Sequence, residues 1–521
     1  MNFSNTNSRN AVTRLLAVAL MAWALAGTAQ ATTPGITGNP LTGSTSTYNF
    51  TAGEAWSSQP DGAQIYSWGY GCAAGSTPAY APFPGNCPAV QIPGPTLIVT
   101  EGQVVSVTLT NNLPPGAGNT SIVFAGFQVT TTGGTPGLLA GEALPLGKVT
   151  YTFTATAPGT HAYYSGTQAD LQIEMGLYGA VVVLPSAAAL TAANCTPIAN
   201  REINYTLAPA AYDHPAACYD REYLFQFAEM DARIHRQAEE QVQLAKAAHT
   251  ATPNAVLPPL NVATEPYHPS YFLINGRSMP DDMDANYAPN YPIQPYNGNP
   301  HMHPGDRVLL RVIGQGRWEH PFHEHGNHVR ILGRDGNLIL AQTSTNLAGQ
   351  VLFTTDTFPG QTLDGIFYWS GKGLGWDIYG HTAANSGNPG CTPDVNGYDT
   401  STPSAGNYYE WCADHNHPLE GNPFGQVGFG GPATTPDPLI MTNGLWYNGS
   451  PYLGQEAVTR SQGITPLPPG GALQNPPEES GIAFMWHSHN EREITTNDLF
   501  PGGMLMMMLV DPPKFAINET L

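Results

Sequence analysis

A glycine or proline falls at about every fifth position of this chain, 57 and 48 of its 521 residues. Glycine loosens helices and proline breaks them, so such a chain has little room for long helices and reads as short β-strands joined by turns. Charged residues make up only 11%. Strand patterns bear the reading out along the sequence. Residues 96–109 alternate apolar and polar side chains around a turn at Glu101-Gly102, predicting two strands. Residues 150–154 and 180–184 are further strands, and together these predict a first β-domain over 45–190. Residues 223–227, 271–275 and 307–313 continue the pattern, with a second β-domain from 265 to 515.

Between the two lies a linker, 191–264. It contains the one stretch with helical composition, 231–249, rich in Ala, Gln, Glu, Arg and Lys. Inside the second domain, residues 370–480 are dense in Gly, Pro, Asn and Asp and read as a long loop excursion.

The N-terminus has the signature of an export signal. Arg9 and Arg14 precede a small, apolar run over 15–27, and Ala29-Gln30-Ala31 offers small residues for cleavage. The run is short for a bilayer span, and no later stretch is long and apolar enough for one. Residues 1–31 are therefore expected to direct the chain to the periplasm or outside the cell. The six cysteines fall into three local pairs, Cys72/Cys87, Cys195/Cys218 and Cys391/Cys412, as expected of loop-stapling disulfides in an oxidising compartment. A formal charge of −21 argues against nucleic acid or an anionic membrane as partner and suits cations, metal ions included.

The 16 histidines are unevenly spread. Four pairs have the form His-x-His: His301/His303, His323/His325, His415/His417 and His487/His489. Residues i and i+2 of a strand point to the same face, so each such strand presents two imidazoles side by side. His301-Met302-His303 runs into Pro304-Gly305 and reads equally as an exposed turn. His415 and His417 lie in the loop excursion, where solvated polar side chains are as good a reading. The run 320–326, His-Pro-Phe-His-Glu-His-Gly, is far more specific, and so is 485–489, where an apolar strand ends in His487-Ser488-His489. Imidazole clusters favour copper, zinc, iron or nickel. Met504, Met506, Met507 and Met508 are soft enough to serve Cu(I), but methionines more commonly fill core, and Met279, Met283 and Met302 near the first pair have the same two readings.

These motifs resemble the multicopper oxidases. Pro93-Gly94-Pro95-Thr96 with Glu101-Gly102 resembles the opening of that family's first domain, and residues 159–180 its close. Residues 271–279 with Pro304-Gly305-Asp306 resemble the entry to its last domain. The run 320–326 matches the third copper motif, and His487 to His489 with Gly503-Met504 the fourth. The resemblance covers most of 45–512 and implies an all-β fold of two cupredoxin-like Greek-key sandwich or barrel domains, with one inserted helix and the loop excursion.

What the resemblance implies about chemistry is divided. In the family, four histidine pairs hold a three-copper cluster, and a separate copper is held by two histidines, a cysteine and commonly a methionine. Here the first pair would fall in 121–127, which contains no histidine. The second would fall at Tyr164 and Gly166, with His161 close but offset. The cysteine is replaced by Ser488, whose hydroxyl cannot stand in for a thiolate, and the mononuclear site's second histidine is either replaced by Glu493 or displaced by the longer stretch 490–502. The expected metal residues are therefore His320, His323, His325, His487, His489, Glu493 and Met504, with copper as cofactor and zinc as the alternative. The implied function is an exported copper protein with oxidoreductase chemistry at an altered centre, acting on a small molecule or a metal ion. The alternatives are a non-catalytic envelope scaffold and a copper-binding or tolerance protein. Two-domain members of the family commonly assemble as rings, so a homo-oligomer is also in view.

Overall fold

A computed structural model describes residues 33–38, 45–196, 206–252, 257–369, 392–395, 397–402, 449–452, 481–511 and 517. The export signal, Cys391/Cys412 and His415/His417 lie outside the described residues.

The strands group into four sheets, two in an N-terminal unit and two in a C-terminal one. In the N-terminal pair, the strand Thr45–Ser58 runs antiparallel to Gln64–Cys72 and parallel to Val104–Asn111, which pairs with Lys148–Thr154. The facing sheet holds Leu97–Thr100 beside Tyr178–Leu184, which pairs with Gly159–Tyr164. Val104–Asn111 buries every second residue, with Val105, Val107 and Leu109 fully inside, as alternation requires. The turn before it places Gly102 at φ +87°, a conformation glycine adopts without strain. Tyr70, Phe124, Tyr151, Phe153 and Tyr163 fill the core between the two sheets.

The C-terminal pair of sheets starts earlier than the strand pattern suggested. The strand Arg221–Met230, within the stretch read as linker, pairs in parallel with Arg307–Gly314, buried along its whole length. The other sheet of this unit holds His320–Glu324, Gly481–Ser488 and Leu505–Val510. Phe322, Trp486, Met504, Met506 and Met508 meet Phe225, Phe227 and Phe367 in its core. The methionine-rich last strand and Met302 are thus core. This all-β, two-unit architecture is the cupredoxin-like one that the resemblance implied.

The helix spans Ala232–Ala251, with Asp231 capping it: Arg233 N–H donates to Asp231 Oδ1 at 2.9 Å. Its buried face, Ile234, Ala238 and Val242, packs into the N-terminal core although the preceding strand belongs to the C-terminal unit. The helix therefore ties the two units together. Disulfides Cys72–Cys87 and Cys195–Cys218 form as their spacing suggested. None of the described helices is long and apolar enough to cross a membrane.

Candidate metal centre

Two antiparallel strands build the centre. His320–Glu324 pairs with Gly481–Ser488 so that His323 lies opposite His487 and Phe322 opposite Ser488. Cross-strand partners share a face. One face therefore carries His323, His325, His487 and, beyond the strand end, His489. The other carries His320, Phe322, Glu324, Trp486 and Ser488.

On the first face, one nitrogen from each of His323, His325 and His487 lies within 4.8 Å of the others, the only such group of histidine, cysteine and acidic ligands among the described residues. His325 Nε2 and His487 Nε2 stand 3.2 Å apart. Two imidazoles bound to one ion at about 2.0–2.1 Å have nitrogens on the order of 3 Å apart, so this spacing fits a shared metal. The other nitrogens of His323 and His487 are held from behind. His323 Nδ1 meets Thr354 Oγ1 at 2.7 Å, and His487 Nδ1 meets the Ser488 carbonyl oxygen at 2.7 Å. A carbonyl only accepts, so His487 Nδ1 carries the proton and its Nε2 lone pair is left for a metal. Trp486 donates its indole N–H to the His325 carbonyl at 3.0 Å and anchors that strand end.

Burial and the neighbouring His487 and His489 push the His323 imidazole down to about 4, and burial pushes His487 down as well. Both are neutral near pH 7, the form that binds metal. His489 is half exposed, with its ring centroid 4.8 Å from that of His323 and its Nδ1 turned to Glu491 Oε1 at 3.1 Å. Phe353, 47% exposed, packs edge-on against His323.

The second face does something else. His320 is fully buried, with Nδ1 2.8 Å from Glu493 Oε2 and Nε2 3.0 Å from Glu229 Oε2. Burial alone would lower its pKa, but the two carboxylates outweigh that and raise it to about 9. It is an imidazolium with both nitrogens donating and none left for a metal. Ser488 donates its hydroxyl to the same Glu493 oxygen. The structure thus gathers His323, His325 and His487, sets His489 beside them, and keeps His320 and Glu493 apart. The strand explains this division: 320 and 323 differ by an odd number and so face opposite ways. Met504 is core, joined to the strand pair by backbone bonds to Ser488 and Glu493.

Glu229 could not be found from the motifs. It lies 91 residues before His320, two residues past the strand read over 223–227. A lone acidic residue in the largely apolar run 223–230 is the one signal the sequence carries. His301 meets Asp511 at 2.7 Å, and His303 meets Arg221 at 2.9 Å. The strand here is two residues long, too short to hold both imidazoles on one face.

In the N-terminal unit, the positions where the resemblance would place further ligands form a hydroxyl network. Ser121 Oγ lies 2.8 Å from Thr167 Oγ1 and accepts from Gly166 N–H at 3.2 Å, and Ser165 Oγ donates to Gln172 Oε1 at 2.7 Å. Val123 and Phe124 pair with Tyr164 and Tyr163, and Phe124 joins the aromatic core. His161 packs on Phe127 and lines a cleft of about 310 Å³ between the units, facing Asp335 and Phe358.

Residues 89–188 match the family model described as multicopper oxidase. Laccase 1 of Metarhizium robertsii is 35% identical over 98 residues, covering 18% of this chain and 15% of that protein. Laccase abr2 of Aspergillus fumigatus is 36% identical over 98 residues, 18% of this chain and 16% of that one. The chain thus spans about a sixth of the length of these relatives. Among solved structures, a blue copper oxidase from Nitrosomonas europaea aligns over 89% of this chain and 86% of its own, at 13% identity and a TM-score of 0.45. A laccase from Botrytis aclada aligns over 63% and 47%, at 20% identity and a TM-score of 0.36.

Proposed function

We infer that this chain is a member of the multicopper oxidase family, whose model matches residues 89–188, and an exported copper protein whose redox chemistry is confined to one histidine centre that substrate meets directly. The observation that carries this is the convergence of His323, His325 and His487 on one face of a strand pair whose other face is closed by the His320–Glu493–Ser488 cluster. Three imidazoles fit Cu(II), with zinc as the competing ion. Copper held there would supply one-electron redox chemistry.

The chain's own residues set the terms of that chemistry. Thr354 and the Ser488 carbonyl orient two of the ligands, and half-exposed His489 stands where an incoming small molecule or metal ion would arrive. The hydroxyl of Ser488 offers no thiolate to carry electrons from a separate site, so electron entry must be at the histidines themselves. Phe353 gives that approach an apolar wall. The two disulfides support an oxidising compartment, periplasm or cell exterior.

A second reading, copper binding or tolerance without turnover, is favoured by the hydroxyl network that stands where the first-domain ligands would be. Oxygen uptake by the copper-loaded protein with a phenol or Fe(II) separates the two. Uptake that depends on His323 and His487 supports the oxidoreductase; stoichiometric copper with no uptake leaves the binding protein.

A further inference from the structure

The cluster on the inward face joins the centre at one atom. Glu229, on the strand Arg221–Met230, accepts from the Arg317 and Trp318 backbone N–H groups through Oε1, and from His320 through Oε2. His320 donates in turn to Glu493 Oε2, which also accepts from the Ser488 hydroxyl. Glu493 Oε1 accepts from the Asn490 side chain at 2.9 Å, and Asn490 N–H donates to Ser488 Oγ at 3.2 Å. Ser488 N–H donates to the Met504 carbonyl at 2.9 Å. Ser488 is therefore held through its side chain and its N–H, the peptide that carries its carbonyl is held by His489 N–H donating to the Pro321 carbonyl at 2.8 Å, and that Ser488 carbonyl oxygen is what holds His487 Nδ1. Glu229, His320, Ser488 and Glu493 are all buried. The two carboxylates bind opposite nitrogens of one ring, so this cluster holds no place for a metal. Gly316 completes it: a Cβ there would collide with the Glu229 carboxylate.

We propose that His320, Glu493 and Ser488 are positioning residues for His487. They form a metal-free hydrogen-bonded chain on the inward face that locks the Ser488 carbonyl, and so keeps the His487 ring in the tautomer and orientation that turn Nε2 toward His325 and the metal. Such outer partners of a ligating histidine tune metal affinity by about 10–100-fold. The assignment rests on the copper reading for its purpose, and on the hydrogen bonds above for its geometry.

The test is Ser488→Ala beside the conservative Ser488→Thr, with two readouts. Side-chain 15N NMR of the metal-free protein reports the His487 tautomer. It is expected to be the Nδ1–H form in the native chain and in Ser488→Thr, and a mixture in Ser488→Ala. Competition titration with Cu(II) is expected to show about 10–100-fold weaker binding for Ser488→Ala, with an altered Cu(II) EPR spectrum, and near-native binding for Ser488→Thr. Glu493→Gln, which keeps the shape and weakens the charge-assisted bonds, is expected to shift both readouts the same way by a smaller amount, and serves if Ser488→Ala does not fold. Native tautomer and native affinity in a folded Ser488→Ala, or in Glu493→Gln, overturn the proposal. A native chain that shows the Nδ1–H tautomer yet retains no copper overturns the copper reading and leaves the positioning chain standing.

Discussion

The two faces of the strand pair formed by His320–Glu324 and Gly481–Ser488 both carry histidine and put it to opposite use. One face gathers one nitrogen from each of three histidines within 4.8 Å of one another. The other sets a histidine between two carboxylates, satisfied at both nitrogens. The difference lies in what each imidazole meets. Clustered imidazoles depress one another and stay neutral, which is the state of a ligand. An imidazole flanked by carboxylates is charged, which is the state of a salt bridge. A histidine's role here follows from strand parity and its partners, and the sequence motif alone places all of them in one group.

The largest expected effect separates the faces by stability. His320→Ala leaves two buried carboxylates without their cation and should destabilise the protein by about 3–5 kcal/mol. His323→Ala in the metal-free protein should change stability far less, since it relieves crowding among imidazoles. Urea unfolding of both variants checks this, and equal losses would erase the distinction.

The faces should also differ in pH response. The folded-state pKa of His320, about 9, lies above its ordinary value of about 6.5. Its contribution to stability is therefore complete below about pH 6.5 and is lost as pH rises through about 9. A melting temperature followed over that window should fall in the native chain. For the ligand face the sign is opposite: His323 is depressed to about 4, so protons compete with metal only as pH falls toward that value. Copper should be retained down to about pH 5, and release centred near an ordinary histidine pKa of about 6.5 would contradict the burial of that face. The smallest effect is remote from both. Asp231→Ala removes a helix cap and should cost about 0.5–2 kcal/mol without altering copper content.

Much of the fold was legible because its signals are local. Alternation over 96–109 marked two strands, the apolar run 180–184 marked a third, and composition marked the helix. The two strand-borne His-x-His pairs could be placed for the same reason, since i and i+2 on a strand need no tertiary knowledge. What sequence could not supply was the far partner. Glu229 reaches His320 across 91 residues, and nothing near His320 announces that its nitrogens are taken. The start of the C-terminal unit at Arg221 was hidden likewise, because parallel pairing to Arg307–Gly314 joins segments far apart in sequence. Met504 was ambiguous by chemistry, soft enough for copper and apolar enough for core, and packing put it in the core.

Copper bound per chain, measured on native protein, on His323→Ala/His487→Ala and on Ser488→Ala after Cu(II) loading and removal of loose metal, tests the centre most directly. The native chain should retain about one ion without an intense blue thiolate band, the double variant none, and Ser488→Ala an intermediate amount at limiting copper. Equal retention by the native chain and the double variant would contradict a centre built on His323, His325 and His487.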